Sequence, residues 1–325
     1  MTAPLRLPPG IHTDVPPAEY HLDCADEPSL SSSVAKLCYR KTMRHAFTVH
    51  PRLNPDYEPD NDSKFDVGSV AHELLLGRGG GFEILDFADW RSGDAKKARI
   101  RIAAEGRTAI LAHQHADACM IAEAVCGRLK LIPECEALFK RTDDGAFKVG
   151  NAEVVLIWRD VGGPFCRCML DWWGPTEAEV FDIKTTGVSL ADASLERLIP
   201  NMDYDLSLAF YKRGIERLRP DLAGRIKYRW IFVEDEPPFE CRVIEATGAH
   251  LSLGDRKAAL AIEKWRRCIA ANTWPGYPPA VARVEYPPWA EKEITEREMV
   301  DDDSLRMVVS GQIVTCEPQR FMEPV

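Results

Sequence analysis

The sequence predicts an α/β sandwich built on a mixed central sheet, and three observations predict it. A cluster of three strand-like runs occupies residues 152–186, with turn residues between them. A long helical stretch precedes the cluster, and a helix followed by two further strand-like runs succeeds it. Helices on both sides of consecutive strands, in a chain of 325 residues that is 45% hydrophobic, suit a layered domain with a sizeable core.

Within the cluster, residues 153–158 are apolar and β-branched, and Asp160-Val161-Gly162-Gly163 is a turn signal closing a hairpin. The return strand covers 165–173. Gly174-Pro175-Thr176 breaks the chain, and 180–185 forms the third run. Successive strand side chains alternate between faces, so Asp182 and Lys184 share one face while Ile183 points into an apolar layer. If the second and third strands are neighbours, Asp171 reaches the same surface. Two carboxylates then form a hard, oxygen-rich site suited to Mg²⁺ or Mn²⁺, with Lys184 beside it to orient a water or neutralise developing charge. The alternative is that both aspartates are strand-end residues facing water and Lys184 is an ordinary salt-bridge partner.

The pattern of Asp171, then Asp182-Ile183-Lys184-Thr185-Thr186, with Gly68-Ser69-Val70-Ala71-His72 upstream and a 204–211 helix downstream, resembles the PD-(D/E)xK nuclease superfamily, and more narrowly the exonuclease VIII (RecE) type among RecB-like nucleases. The resemblance covers 20–294 and is carried by four separated motifs in order. It implies that His72, Asp171 and Asp182 hold a divalent metal, that the Ile183 carbonyl completes its shell, and that Lys184 assists the attacking water. Glu153 matches an acidic position that sometimes joins the site. The family often has Gln-x-x-x-Tyr on the following helix. Here Ser207 and Tyr211 stand at those positions, one helical turn apart, as candidate DNA contacts, with Tyr211 also readable as a core residue in a stripe with Leu208 and Ile215. Gly68 lets a backbone or a DNA strand approach the helix that carries His72. That histidine has an ordinary structural alternative.

The implied activity is a magnesium-dependent exodeoxyribonuclease acting on linear duplex DNA and leaving single strands for homologous recombination in phage or prophage, beside a single-strand annealing protein and compatible with a homo-oligomer. Two rivals stand: a nuclease of the same fold for single-stranded or branched DNA, and a DNA-binding or assembly protein without turnover. The net charge of −10 weighs mildly against nucleic acid, but basic residues recur in runs at Lys96, Lys97, Arg99 and Arg101, at Lys212, Arg213, Arg217 and Arg219, and at Arg266 and Arg267. Each run also reads as a solvated helix face.

The ten cysteines include no C-x-x-C pair, which argues against a zinc ribbon, and Cys241, Cys268 and Cys316 are too dispersed for the tight trio of an iron–sulfur cluster. No Walker loop signals ATP use. With no long apolar run and no secretory h-region, the expected location is the cytoplasm of a bacterial or phage-infected cell, with no membrane partner.

In chain order, 1–17 is proline-rich and expected to be extended, 18–294 is expected to form the nuclease domain, and 295–325 to be an acidic tail ending in a hairpin. Ser29 to Ser33 contains the N-cap of a helix through Tyr39, an L-S-x-S opening that also resembles the exonuclease VIII type. The pattern predicts a helix over 67–76, one or two alanine-rich helices over 95–129 covering a face of the sheet, and another helix over 205–217. Strands over 227–233 and 239–246 follow, and 253–271 is the last helix before a proline and aromatic stretch.

Overall fold

The computed structural model describes residues 4–58, 66–139, 151–174, 178–309 and 312–315. They divide into two units, 1–276 and 277–325. In chain order the first unit comprises β1 (Gly10–His12), α1 (Pro17–His21), β2 (Leu30–Ser31), α2 (Ser32–Arg40), α3 (Met43–Thr48), α4 (Asp66–Leu76), β3 (Phe82–Leu85), α5 (Gly93–Ala104), β4 (Thr108–Leu111) and α6 (Ala112–Leu129). There follow β5 (Asn151–Arg159), β6 (Phe165–Gly174), β7 (Glu179–Thr186), α7 (Asp192–Asn201), α8 (Tyr204–Leu218), β8 (Lys227–Glu234), β9 (Cys241–Glu245) and α9 (Gly248–Ala271). The second unit contains α10 (Pro288–Leu305) and the antiparallel pair β10 (Arg306–Val309) and β11 (Gln312–Thr315).

The central sheet runs β1-β5-β6-β7-β8-β9, with β2 attached to β6. It is mixed: β5, β6 and β7 form an antiparallel meander, β7 and β8 are parallel, and β9 returns antiparallel. The hairpin between β5 and β6 closes where the glycines predict, with Gly163 donating to the Asp160 carbonyl at 2.9 Å. The parallel step needs a crossover, and α7 and α8 supply it.

Both faces are covered. On one, Trp158, Trp173, Trp230 and Phe232 pack with α8 residues Leu208, Phe210 and Ile215 and with Trp265 of α9. On the other, Trp172, Phe181 and Ile231 meet Val70, Ala71 and Leu75 of α4 and Ile121 and Val125 of α6. Gly214 permits the close approach of α8, since a Cβ there would lie 2.9 Å from the Trp158 ring. Burying five tryptophans this completely removes a large apolar area from water and anchors the sheet that carries the site.

The structure adds features that the sequence pattern does not carry. Within the proline-rich N-terminal segment, β1 adds to the sheet beside β5, and Leu7 bridges Ala25. Residues 95–129 are two helices separated by β4, which pairs in parallel with β3 in a small second sheet. The acidic tail is helical through Leu305 before its hairpin. Residues 59–62 lie outside the described residues, as do Pro175, Thr176 and Cys316.

Candidate active site

The site forms where β6 and β7 separate. Their ladder holds only from Trp172↔Phe181 to Gly174↔Glu179. On the same edge of β6, β2 pairs at Cys166 and Arg167, so among the described residues 168–171 meet no strand on that side. On the other edge, Ala152↔Trp172 and Val154↔Leu170 flank a gap where Glu153 takes a left-handed φ of 51° opposite Asp171. The strand is therefore irregular on both sides of Asp171.

Freed from the ladder, Asp171 turns its carboxylate across the gap. Its Oδ2 accepts from the Ile183 N–H at 2.7 Å, taking the place of a backbone partner, and its Oδ1 lies 3.4 Å from His72 Nε2 on α4. Lys184 Nζ is 2.8 Å from Asp182 Oδ2 and 3.8 Å from Asp171 Oδ2, and it donates to the Ile183 carbonyl at 3.0 Å. The Tyr211 hydroxyl donates to Asp182 Oδ1 at 3.4 Å. His72, Asp171, Asp182, Lys184 and the Ile183 carbonyl thus come together from α4, β6 and β7.

The electrostatics follow from this packing. Burial pushes the Asp171 carboxyl up, but the Lys184 ammonium, His72 and the Ile183 N–H outweigh it and hold the group at about 2. Asp182, fully enclosed, is moved the other way by burial and by the negative charge of Asp171, against the pull of Lys184. For His72, burial favours the neutral ring, yet Asp171 raises its pKa overall. Glu153 is raised by burial. It is near enough to feel His72 and Asp171, but no hydrogen bond joins it to either among the described residues.

Whether these residues suit a divalent ion can be judged from the cation already present. The Lys184 ammonium is held by two carboxylates and a carbonyl, the hard oxygen donors that Mg²⁺ or Mn²⁺ take. In donor chemistry the residues fit such an ion. With Asp182 engaged by Lys184 and Asp171 by Ile183, no group of three or more His, Cys, Asp or Glu side chains is arranged to hold a metal among the described residues.

The remaining sequence candidates fall elsewhere. At Gly68 an added Cβ would lie 2.7 Å from Thr185 Oγ1, so its close approach is to β7 and not to DNA. Ser207 is only 3% exposed, inside the packing of α8, which removes it from any DNA-facing surface. Tyr211 is also buried, with its hydroxyl on Asp182. The basic runs are largely neutralised locally: Arg99 by Asp66, Arg101 by Glu83 and Glu105, Lys212 by Glu216, Arg213 by Asp255 and Asp160, Arg219 by Asp221, and Arg266 and Arg267 by Glu263.

Two neighbours of the site carry no signal in the sequence. Tyr204, at the start of α8, lies under Lys184 with the ammonium 5.8 Å from the ring centroid, and Lys36 of α2 lies 5.0 Å from the same centroid. Neither stands near Lys184 in sequence: α8, whose Tyr211 reaches Asp182, brings Tyr204 there, and the packing of α2 against α8 brings Lys36.

Strand order, flanking helices and the Asp171, Asp182 and Lys184 constellation define a PD-(D/E)xK nuclease fold. Residues 39–284 match the family described as a PDDEXK-like domain of unknown function (DUF3799), and the chain belongs to that family. A crystal structure of a provisionally named exonuclease from Eubacterium rectale is similar at 13% identity, covering 82% of this chain and 93% of that one with a TM-score of 0.50. A phage-related exonuclease from Haemophilus somnus aligns at 9% identity over 75% and 96% of the two chains with a TM-score of 0.31. At such identities the first likeness shows the fold alone. No curated protein matches the chain in sequence. No helix among the described residues is long and apolar enough to cross a membrane.

Proposed function

We propose that the chain is a metal-dependent deoxyribonuclease, an exonuclease that hydrolyses linear double-stranded DNA and leaves single strands for recombination. The observation that carries this reading is the Lys184 ammonium held between Asp182, Asp171 and the Ile183 carbonyl. Asp171, Asp182 and the Ile183 carbonyl, with His72 behind Asp171, are the residues that would hold Mg²⁺ or Mn²⁺. A bound ion of this kind supplies Lewis acidity toward a phosphoryl oxygen and a more acidic water. Tyr211 and the Ile183 N–H fix the two carboxylates in direction, and Asp182 is fully buried. Burial works against the charge on Lys184, but Asp182 and Asp171 raise its pKa overall, so it stays protonated. It therefore orients a nucleophile and neutralises charge instead of accepting a proton.

The name of the E. rectale neighbour and the family's PDDEXK-like description support nuclease chemistry, and the exonuclease mode follows the resemblance to the exonuclease VIII type. The same resemblance supplies the annealing partner. The test is digestion of end-labelled linear duplex with Mg²⁺ or Mn²⁺ beside a covalently closed circle, a nicked circle and a single strand. Linear duplex should be lost and the closed circle spared, with Asp182→Ala and Lys184→Ala each slowing cleavage at least about a hundredfold. Cleavage that ignores both substitutions refutes the assignment. DNA binding with no cleavage under any divalent ion moves the chain to a binding or assembly protein.

A further inference from the structure

Lys36 is a cation without an acid of its own beside the site. Its amine makes no hydrogen bond and no ion pair among the described residues, and it rests over the Tyr204 ring, which Lys184 also contacts. The carboxylates that attract it are Asp182, Asp203 and Asp205, and each is already held by another cation. Asp182 has Lys184 at 2.8 Å, Asp203 has Arg40 and, at 3.0 Å, Lys257, and Asp205 has Lys257 at 2.8 Å. Asp171, the other carboxylate within reach of Lys184, is taken up by His72 and the Ile183 N–H.

Lys184, Arg40 and Lys257 each hold a carboxylate of this wall, and Lys36 is the cation beside them that makes no ion pair among the described residues. Burial and the nearby Lys184 push the Lys36 amine down to about 8, so its surroundings disfavour the charge that it carries. A half-buried ammonium left in that position is relieved by an anion from outside the chain.

We propose that Lys36 grips a backbone phosphate of the DNA strand entering the site, next to the phosphodiester that Lys184 faces. This rests on the nuclease reading for its substrate class, but not for its test. Binding is measured by fluorescence anisotropy of a labelled short DNA duplex, without divalent metal, on chains carrying Asp182→Asn so that nothing is cut. Adding Lys36→Met, which keeps the apolar stem, should weaken binding about five- to tenfold near 0.1 M salt and flatten the slope of log affinity against log salt by about 0.9, one phosphate contact. Lys36→Arg should stay within about twofold of the parent. In the chain with Asp182 intact, Lys36→Met should raise KM far more than it lowers kcat.

Unchanged affinity and salt slope in Lys36→Met overturn the proposal. So does a loss of binding that Lys36→Arg shares and that follows a lowered melting temperature, because Lys36 would then be structural. A parent that binds no DNA overturns it too. Binding that depends on Lys36 in a chain that never cleaves DNA upholds the phosphate contact and discards the nuclease reading.

Discussion

Replacing Gly68 by alanine tests how tightly α4, and with it His72, is set against β7. The added methyl would stand 2.7 Å from Thr185 Oγ1, well inside ordinary van der Waals contact, and Thr185 is β-branched and stiff about χ1. Two effects oppose each other. Alanine is the better helix former by about 1 kcal/mol, whereas overpacking costs about 1–3 kcal/mol. The clash should win, leaving Gly68→Ala destabilised by about 0.5–2 kcal/mol in urea unfolding, with cleavage slowed because His72 lies one turn further along the same helix. Thr185→Ala removes the obstructing oxygen. In that background Gly68→Ala should become stabilising by about 0.5–1 kcal/mol, so the cycle reverses sign and gives a coupling of about 1–3 kcal/mol. Equal effects of Gly68→Ala in both backgrounds would refute the argument, because the glycine would then not be needed for the approach of Thr185.

Two further predictions concern the buried polar cluster that ties the N-terminal segment to β6. Arg167 donates to Asp23 Oδ1, the Ser29 carbonyl and Ser29 Oγ, each at 2.8 Å, so Arg167→Met should cost about 3–5 kcal/mol in equilibrium unfolding by removing three buried hydrogen bonds and leaving the buried Asp23 carboxylate with only Arg52, at 3.6 Å, as a cation. A cost under about 1 kcal/mol would show that the cluster is not coupled to folding. In the same cluster His50 is fully enclosed, with Nε2 3.1 Å from the Ser29 carbonyl and 3.4 Å from Asp23, and Arg52 and Arg167 are nearby; burial lowers its pKa to about 4. The unfolded chain therefore binds the proton first as pH falls from about 6.5, and up to about 3 kcal/mol of stability present above that pH should be lost by about pH 4. Urea unfolding across this window should show a shallower loss in His50→Gln than in the parent, and parallel curves would refute the linkage.

The β5-β6-β7 meander is legible in the sequence because its punctuation is local: Asp160 to Gly163 makes the hairpin, and alternation places Asp182 and Lys184 together. The short strands β3 and β4 are not, because four residues beside helices carry too little periodicity to register. The pairing of the N-terminal segment is not legible either, because its prolines suggest extension without naming the strand beside it, which is β5. At the site, strand adjacency places Asp171, but its bond to the Ile183 N–H depends on a β6–β7 ladder that stops short, and nothing in the local sequence marks where it stops. Lys36 and Tyr204 are invisible for another reason: their nearness to Lys184 is made by helix packing, not by sequence spacing.

The uneven support of the two aspartates divides the site mechanically. Asp182 and Lys184 are fixed in the parallel pairing of β7 with β8, which runs unbroken from Glu179↔Lys227 to Thr186↔Glu234. Asp171 instead stands at the end of a ladder, between an irregular neighbour and an open edge. One carboxylate belongs to a rigid frame and the other to a jaw. Any adjustment of the gap to an ion or a strand of DNA falls on the β6 side, while Asp182 and Lys184 keep their mutual geometry.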